Sequence, residues 1–480
     1  MLVIVLLALG FGGYQLRSKP PIDSIAVLPF QNNSLEPDTE FLSEGLTDSL
    51  TYRLRQLETL HVSPPSSVSR YKGKEPDAKQ VGSDTGIKSV MFGRLIRDGE
   101  NIIISVHLVD ARDGSLIWGE EYNRKMSDVL ATQREIASEI AEKLDLRLTG
   151  KDKDQLSKPY TNSNEAYLLF LDGRYYFAKR TKTDMLKGLD YFEKAVAIDG
   201  NFALAYATLA DAYATMPGYS YLSPKEAFDK AKMAAQLALT KDPDLAEAHV
   251  ALANCLAVYD WNWKEAKQEF LKAIDLNPKP FITHFRYGLI YLMPTGRSEE
   301  AITELKKALE VERYSLVSGS NLAAVYIFAG EEELALEQAQ KIYDFDRNFT
   351  SGRYYLGLAY IANGMYTDAI SLSEESLKID PENQLYLRVA GIAYAKNNQS
   401  QEAEKIIGKF EKIEKKQYIM SYLVANIYAA LGKKDEAFEE LEKSFEAHDW
   451  DLHRLKVDPF MESLRDDSRF KGMVERLKLP

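Results

Sequence analysis

The sequence predicts a multidomain chain: a small α/β (α+β) domain with a partly antiparallel sheet, followed by an all-α superhelix of repeated helix pairs, an α-solenoid. Three observations lead to this fold class. Strand-like runs separated by Asp-Gly pairs lie between residues 89 and 122. Beyond residue 160, small and aromatic residues recur every 34 positions. The length of 480 residues exceeds what one ordinary core holds.

Composition limits the classes of function. The chain is 45% hydrophobic and 28% charged, which is typical of a folded protein. A net charge of -12 argues against a nucleic-acid partner, because such binding needs a basic surface. Cys255 is the single cysteine and there are six histidines, so we expect no disulfide framework and no metal centre. No small-molecule cofactor is expected either.

The first 16 residues predict a hydrophobic membrane anchor or a truncated transmembrane helix. Leu2–Tyr14 carries no charge, and as a helix it would cover about 20 Å of the ~30 Å hydrocarbon core. A signal peptide and an ordinary buried segment are the alternatives, since both can have an apolar run of this length. Residues 17–23, with two adjacent prolines, are expected to form a stiff linker.

Residues 24–150 predict the α/β domain. The run SIAVLPF at residues 24–30 is typical of a buried strand, and leucines three and four apart over residues 41–60 indicate an amphipathic helix. Three strands follow as a meander, and residues 127–148 predict a second helix. Asp-Gly favours a hairpin because glycine adopts positive φ at little cost. These turns are expected at Asp98-Gly99 and Asp113-Gly114.

This domain resembles the TolB amino-terminal-like domain of bacterial signalling proteins. The resemblance lies in SIAVLPF, in FLSEGLTDSLTYRLRQL and in VMFGRLIRDGENIIISVHLVDARDGSLIWGEEY. In that family the domain often lies between a membrane helix and a run of tetratricopeptide repeats. The resemblance implies an upstream partner such as a bacterial Ser/Thr receptor kinase, an adenylate cyclase or a winged-helix domain.

Residues 160–450 predict about eight helix-pair repeats. A small residue recurs every 34 positions, a tyrosine follows three positions later and an alanine twelve positions later. This pattern resembles the tetratricopeptide repeat, in which a small residue allows two helices to cross closely. Residues 451–480 are expected to form a capping helix segment. The clearest members of the pattern are Ala323, Gly357, Gly391 and Ala425, with Tyr326, Tyr360, Tyr394 and Tyr428.

The resemblance to tetratricopeptide repeats implies that the first helix of each pair lines a concave inner wall. We expect this wall to be left open for a protein or peptide ligand. Projecting the 34-residue period onto the family pattern selects six candidate residues for the groove. They are Asp211, Asn254, Tyr354, Arg388, Tyr422 and Asn426.

The sequence therefore predicts a non-enzymatic, membrane-anchored interaction scaffold or sensor module. No paired carboxylates, Cys/His set or Ser/His/Asp set has a spacing that suits catalysis. The alternative is the carboxy-terminal sensor region of a Ser/Thr kinase or adenylate cyclase, truncated at its transmembrane helix. We expect a single-pass membrane protein whose soluble part is extracytoplasmic, with the cytoplasmic side as the alternative.

Overall fold

The computed structural model describes residues 21–34, 39–57, 59–63, 65–146, 148–277, 281–311 and 315–480. The chain divides into two compact units, one ending at Lys158 and the other beginning at Pro159. The predicted anchor at residues 1–16 and most of the predicted linker lie outside the described residues. Among the described residues, no helix is both long and apolar enough to cross a membrane.

The described residues of the first unit form the strands β1 Ser24–Val27, β2 Gln31–Asn32, β3 His61–Val62, β4 Ser89–Asp98, β5 Asn101–Asp110 and β6 Leu116–Lys125. These strands make a six-stranded mixed sheet in the order β3-β1-β4-β5-β6, with β2 also paired to β4. The pairs of β1 with β3 and β4 are parallel, as is that of β2 with β4, whereas β4, β5 and β6 form an antiparallel meander. The predicted partly antiparallel sheet is confirmed.

Alternation along β5 determines which face of the sheet is buried. Ile102, Ile104, Val106 and Leu108 are fully buried, while the intervening His107 is exposed. The β4–β5 hairpin is tight, since Asp98 pairs directly with Asn101. The helices of this unit are α1 Glu40–Arg55, α2 Pro65–Val68, α3 Ala78–Thr85, α4 Val129–Lys143 and α5 Gly150–Ser157, with 3₁₀ turns at Ser69–Tyr71 and Met126–Asp128.

The second unit is an all-helical array, as predicted. Its described residues form eight successive helix pairs. The pairs are α6 Asn164–Ala178 with α7 Lys182–Ile198; α8 Ala203–Thr215 with α9 Pro224–Lys241; α10 Ala246–Val258 with α11 Trp263–Leu276; α12 Phe281–Arg286, continued as the π-helical Tyr287–Leu292, with α13 Ser298–Val311; α14 Leu316–Ala329 with α15 Glu332–Phe345; α16 Thr350–Ala362 with α17 Tyr366–Ile379; α18 Gln384–Lys396 with α19 Ser400–Glu414; and α20 Ser421–Ala430 with α21 Lys434–Ala447.

A left-handed residue marks the turn inside each helix pair. Glycine is suited to this conformation because it has no Cβ, and it takes the position in four pairs. From the third pair onward these residues are 34 or 35 apart, which gives the repeat its period. They are Arg180, Ser220, Trp261, Gly296, Gly330, Gly364, Asn398 and Gly432.

The small residues of the pattern mark two kinds of close contact. A Cβ on Gly188 would lie 2.8 Å from the carbonyl oxygen of Gly173, so α6 and α7 cross at backbone distance. The expectation that every such residue lies where the two helices of one pair cross is wrong for Gly357. Its nearest side chain is Val389, on the first helix of the next pair. At that position the small residue therefore allows adjacent repeats to stack.

Two of the periodic tyrosines join their repeat to the one before it. The Tyr394 hydroxyl donates to Glu374 at 2.5 Å, and the Tyr360 hydroxyl donates to Gln340 at 3.3 Å. Each acceptor lies on the second helix of the preceding pair, 20 residues earlier. Because both tyrosines are half-buried while their hydroxyls reach a polar neighbour, tyrosine suits this position better than phenylalanine.

The array ends in a folded carboxy-terminal region. Two 3₁₀ segments, Trp450–Arg454 and Pro459–Leu464, precede α22, Ser468–Arg476. Leu452, Leu455, Met461 and Leu464 are fully buried, so this region belongs to the core of the second unit. An additional 3₁₀ turn, Met216–Tyr219, follows α8.

Candidate functional site in the interior of the repeat array

The six predicted groove residues all lie on first helices of the repeats. Asp211 is on α8 and Asn254 on α10, Tyr354 is on α16, Arg388 is on α18, and Tyr422 and Asn426 are on α20. All except Asp211 are buried, with exposures of 3% or less. The first helices therefore point these side chains inward, but most of them do not reach solvent.

The carboxy-terminal region covers the inner wall at three of these residues. Residues 449–465, named here the return segment, fold back into the array after α21. Arg388 Nη2 lies 3.1 Å from Asp458 Oδ2, and the Tyr422 hydroxyl donates to the same oxygen at 2.8 Å. The other hydrogen-bonding nitrogen of Arg388 donates to the Tyr354 hydroxyl. The wall at Tyr354, Arg388 and Tyr422 therefore binds a carboxylate of its own chain.

Electrostatics support this internal contact. Asp458 and Arg388 are each 1% exposed, so the two charges must compensate each other. Burial opposes the charge of Arg388, but Tyr354, Asp458 and Tyr422 hold its pKa above the ordinary value. Burial and the adjacent Asp458 raise the pKa of Tyr422 well above its ordinary value, so it remains a hydrogen-bond donor at neutral pH.

The expectation that the inner wall is left open is wrong at these positions. The physical reason is that the return segment places Asp449, Asp451 and Asp458 against Arg388 and Tyr422 on first helices of the late repeats. Asn254 and Asn426 are also fully buried, and the amide atoms of both side chains have no hydrogen-bond partner among the described residues. The role of the six residues in binding a peptide stays a prediction.

Aromatic contacts hold the return segment to the early repeats. The Trp450 ring stacks on Phe228 of α9, with ring centroids 6.0 Å apart and an interplanar angle of 11°. Just before it, His448 stacks on Trp261 with a centroid distance of 4.3 Å. The indole of Trp263 donates to the Leu477 carbonyl at 2.8 Å. Trp261 and Trp263 thus pack at the turn between α10 and α11, against partners from the far end of the array.

A cavity of about 270 Å³ remains between the return segment and the first helices. Its walls come from α8, α12, α14, α16 and α18, from the π-helical segment and from Trp450–Arg454. Asp211 and Tyr354 line this cavity, so two of the six predicted residues meet there. We name it the interior cavity.

Sequence reasoning missed the basic side chains of the interior cavity. Arg180, Arg286 and Arg454 line it and come from the first repeat, the fourth repeat and the return segment. Arg286 Nη2 donates to Asp211 Oδ1 at 2.7 Å and to Thr215 Oγ1 at 2.9 Å. A cluster assembled from such distant parts of the chain leaves no spacing signal in the sequence. An arginine at the turn position that four later repeats fill with glycine is one indirect signal.

Other chemically capable side chains are used for packing. Cys255 is 1% exposed, and burial raises the pKa of its thiol, which makes it a poor nucleophile. His249 contacts Glu269 at 2.5 Å and the Pro243 carbonyl at 2.9 Å, so both ring nitrogens are engaged. Among the described residues, no group of three or more His, Cys, Asp or Glu side chains could hold a metal ion.

Two protein families match parts of the chain. The second domain of HilA/YgeH-like transcriptional regulators matches residues 22–139, which lie in the first unit. The tetratricopeptide repeat matches residues 283–314, 352–383 and 420–447, each of which falls on one helix pair of the array. The chain thus contains tetratricopeptide repeats behind a small mixed-sheet domain that is similar to the HilA/YgeH second domain. The TolB-like assignment stays a prediction.

Two curated relatives have similar sequences. A protein named putative adenylate cyclase 3 from Rhizobium meliloti (strain 1021) is 30% identical over 196 residues, which is 41% of this chain and 33% of that protein. The small glutamine-rich tetratricopeptide repeat-containing protein 2 of Mycosarcoma maydis is 29% identical over 100 residues, 21% of this chain and 28% of that protein. The chain spans about a third of the length of the curated relatives it matches.

Solved structures of repeat proteins are also similar. A thermophilic tetratricopeptide repeat protein of Thermus thermophilus has a TM-score of 0.35 at 18% identity, covering 41% of this chain and 99% of that one. A tetratricopeptide repeat protein from Parabacteroides merdae has a TM-score of 0.37 at 13% identity, covering 50% of this chain and 93% of that one.

Proposed function

We propose that this chain is a non-enzymatic interaction and sensor module of a signalling protein, with the repeat array as its recognition element. The observation that carries the proposal is the array itself, since tetratricopeptide repeats build extended surfaces for other macromolecules. Cys255 and His249 serve packing, which further supports a recognition role over a catalytic one. The partner is expected to be a protein or a peptide.

The outer surface offers a place for a protein partner. Among the described residues of the array, the large apolar side chains that are exposed lie on second helices or directly before one. Met233 is 60% exposed, Phe345 53% and Ile379 64%. Single exposed apolar residues are common on proteins, so these positions indicate where contact should be tested. Because the return segment covers much of the inner wall, we favour this outer surface for the partner.

Site-specific photo-crosslinking in cells tests the proposal with the full chain. A photoreactive phenylalanine analogue replaces Met233, Phe345 or Ile379, and Leu116 of β6, which is 63% exposed, serves as the matched control in the other unit. We expect at least two array positions to yield adducts with one common protein. Array positions that yield no more adduct than Leu116 would contradict an interaction role for the array.

The second candidate is that the chain is the carboxy-terminal sensor region of a larger kinase or cyclase. The similarity to the relative named putative adenylate cyclase 3 favours the cyclase over the kinase. The genomic sequence upstream of the Met1 codon distinguishes the candidates. An in-frame cyclase or kinase domain would support this second candidate, and an in-frame stop codon next to a ribosome-binding site would contradict it.

We further propose that the apolar Leu2–Tyr14 segment attaches the chain to a membrane and that the soluble part lies on the extracytoplasmic side. The resemblance to receptor-like kinases favours this side, whereas Arg17 and Lys19 after the segment favour the cytoplasmic side. Reporter fusions after Pro480 test both statements together with membrane fractionation. An alkaline phosphatase fusion should be active and a fluorescent protein fusion dark. The opposite pattern would place the soluble part in the cytoplasm, and recovery of the chain in the soluble fraction would contradict attachment.

A further inference from the structure

The interior cavity is lined by several repeats and by the return segment. Its volume of about 270 Å³ lies near the lower end of small-molecule sites, which span ~300–1,000 Å³. The return segment covers the inner wall at Arg388 and Tyr422, in the late repeats. An extended peptide therefore has no continuous groove to follow along these repeats, whereas a compact molecule has room in the cavity.

The cavity carries an excess of positive charge. Its charged lining residues are three arginines and two aspartates, Asp211 and Asp451, which leaves a net charge of +1. Asp211 pairs with Arg286, and Asp451 pairs with Arg454. Arg180 forms no ion pair with any residue that the structure describes, and its guanidinium lies 4.9 Å from the Phe177 ring. Burial lowers the pKa of the lining residue His453 to about 4, so it adds no charge at neutral pH.

Several of these basic groups have unused donors. Arg286 and Arg454 are 6% and 5% exposed, and the Nε of each has no hydrogen-bond partner among the described residues. The buried Nη1 of Arg180 likewise has no hydrogen-bond partner among the described residues. Buried N–H groups are normally paired, so three such donors around one cavity indicate that an acceptor-rich group belongs there.

The backbone conformation of Arg180 also supports a ligand in the cavity. Arg180 has φ of 59° at the turn position where four other repeats have glycine. A long side chain is disfavoured in this left-handed conformation, and such strain concentrates at functional sites. The π-helical Tyr287–Leu292, directly after Arg286, contributes Leu289 and Ile290 to the wall, and π-helical turns are also frequent at functional sites.

Five aromatic side chains also line the interior cavity. Tyr219, Phe285, Tyr355 and Trp450 line the cavity together with Tyr354. A Cβ on Gly218 would lie 3.2 Å from Trp450 Nε1, so the absence of a side chain there lets the indole approach the 3₁₀ turn closely. Flat apolar walls next to guanidinium groups suit a ligand with a planar body and a carboxylate.

We propose that the interior cavity is a binding site for a small organic anion with a flat apolar body, such as an aromatic carboxylate. The carboxylate accepts hydrogen bonds from the arginines, and the ring packs between the aromatic walls. The array then senses a small molecule through a site to which early repeats, late repeats and the return segment all contribute. This site is separate from the outer surface proposed for the protein partner.

Isothermal titration calorimetry on the full chain tests the proposal. The probes are benzoate and indole-3-acetate, each compared with its neutral amide, and chloride and inorganic phosphate. We expect at least one acid to bind with a Kd below about 1 mM and its amide to bind at least tenfold more weakly, because charge-assisted hydrogen bonds are lost. Acids that bind no better than their amides overturn the proposal. If inorganic anions bind as well as the acids, the cavity is an adventitious ion site only, and the proposal is also overturned.

Arg180→Gly is the principal variant, since it removes the unpaired charge and relieves the left-handed backbone. We expect at least about tenfold weaker binding of the acid, unchanged binding of the amide and an unchanged or higher Tm. Asn398→Gly, at the equivalent turn of a later repeat, and Arg347→Gln, an exposed cation over the Tyr343 ring, are matched controls that should bind the acid normally. Equal weakening in the controls would overturn the assignment.

Asn321→Asp provides a second variant that preserves shape. Asn321 lines the cavity, is half-buried and donates to the Val317 carbonyl at 2.8 Å. The added negative charge should weaken the acid at least about tenfold and leave the amide unchanged. A short peptide ending in phenylalanine that binds while both free acids do not would overturn the proposal in favour of peptide recognition. Loss of the outer-surface crosslinks would leave these titrations unaffected, so failures of the two proposals can be told apart.

Discussion

The Asp458→Asn variant tests whether the return segment is locked to the inner wall. Asp458 is 1% exposed and its Oδ2 accepts hydrogen bonds from both Arg388 and Tyr422. Its Oδ1 accepts from the Phe460 amide at 2.9 Å. The asparagine keeps the shape and one acceptor oxygen but removes the charge that balances the buried guanidinium.

The magnitude follows from this geometry. Removing one partner of a buried ion pair costs about 3–5 kcal/mol, because the remaining charge is left uncompensated. Asp451 Oδ2 lies 3.7 Å from Arg388 Nη1 and retains part of the compensation. We therefore expect the free energy of unfolding to fall by about 2–3 kcal/mol, a factor of roughly 30 to 150 in the unfolding equilibrium.

Urea denaturation followed by tryptophan fluorescence measures this loss, since one of the four tryptophans, Trp450, lies in the return segment. The matched control is Glu442→Gln. Glu442 pairs with Arg476 at 2.7 Å, but about half of its side chain is exposed, so the denaturation midpoint should not change. An Asp458→Asn midpoint that equals the control would refute the reasoning.

A double variant separates the ion pair from other effects of the substitution. Arg388→Gln alone should also destabilise the chain, because it leaves the Asp458 carboxylate buried without its cation. The double variant Arg388→Gln with Asp458→Asn should cost less than the sum of the single variants, by about 1–3 kcal/mol. Strict additivity would show that the two side chains do not interact as described.

Three further predictions follow from the packing. Gly188→Ala should destabilise the chain by about 1–3 kcal/mol, since its Cβ would lie 2.8 Å from a backbone oxygen. Gly408→Ala, with open space around it in α19, should be neutral or stabilising by up to about 1 kcal/mol. Thermal denaturation compares the two variants. Burial raises the pKa of Asp449 to about 7, so the stability that this carboxyl contributes is present below pH 4 and is lost as the pH rises to 7. The Asp449→Asn variant should not show this loss of stability. Urea midpoints measured from pH 4 to 8 compare the two proteins, and parallel pH curves would contradict the prediction. Cys255 should react with a thiol reagent at pH 8 only as fast as the array opens, and immediate labelling in the absence of urea would contradict its burial.

The return segment changes how recognition by the array is understood. In an open array, the first helices would present Tyr354, Arg388 and Tyr422 to a ligand. Here a segment of the same chain, with the Asp458 carboxylate, takes that place, and the space that remains is the interior cavity. We propose that recognition is divided between the interior cavity, which suits a small molecule, and the outer surface, which suits a protein.

Local patterns were sufficient to predict most of the architecture. The 34-residue period, the Asp-Gly turns and the leucine spacing over residues 41–60 each depend on residues close in sequence, and each led to the correct element. The same holds for the placement of the candidate groove residues on first helices, since the period alone assigns a residue to its helix. Gly357 shows the limit of prediction from the 34-residue period. The period predicts that a small residue is needed, but not whether it faces its own pair or the next one.

The state of the inner wall was decided by the tertiary structure alone. Asp458 lies 70 residues from Arg388, and Trp263 lies 214 residues from Leu477, so no local period relates them. An array can stay open or bind its own carboxy-terminal region against the inner wall. The outcome depends on the small rotation between successive repeats, summed over all repeats, and on which distant side chains this rotation brings into contact. The sequence by itself therefore determined the helices and the residues that face inward. Only the fold decided that they would face the return segment and leave a cavity rimmed by arginines.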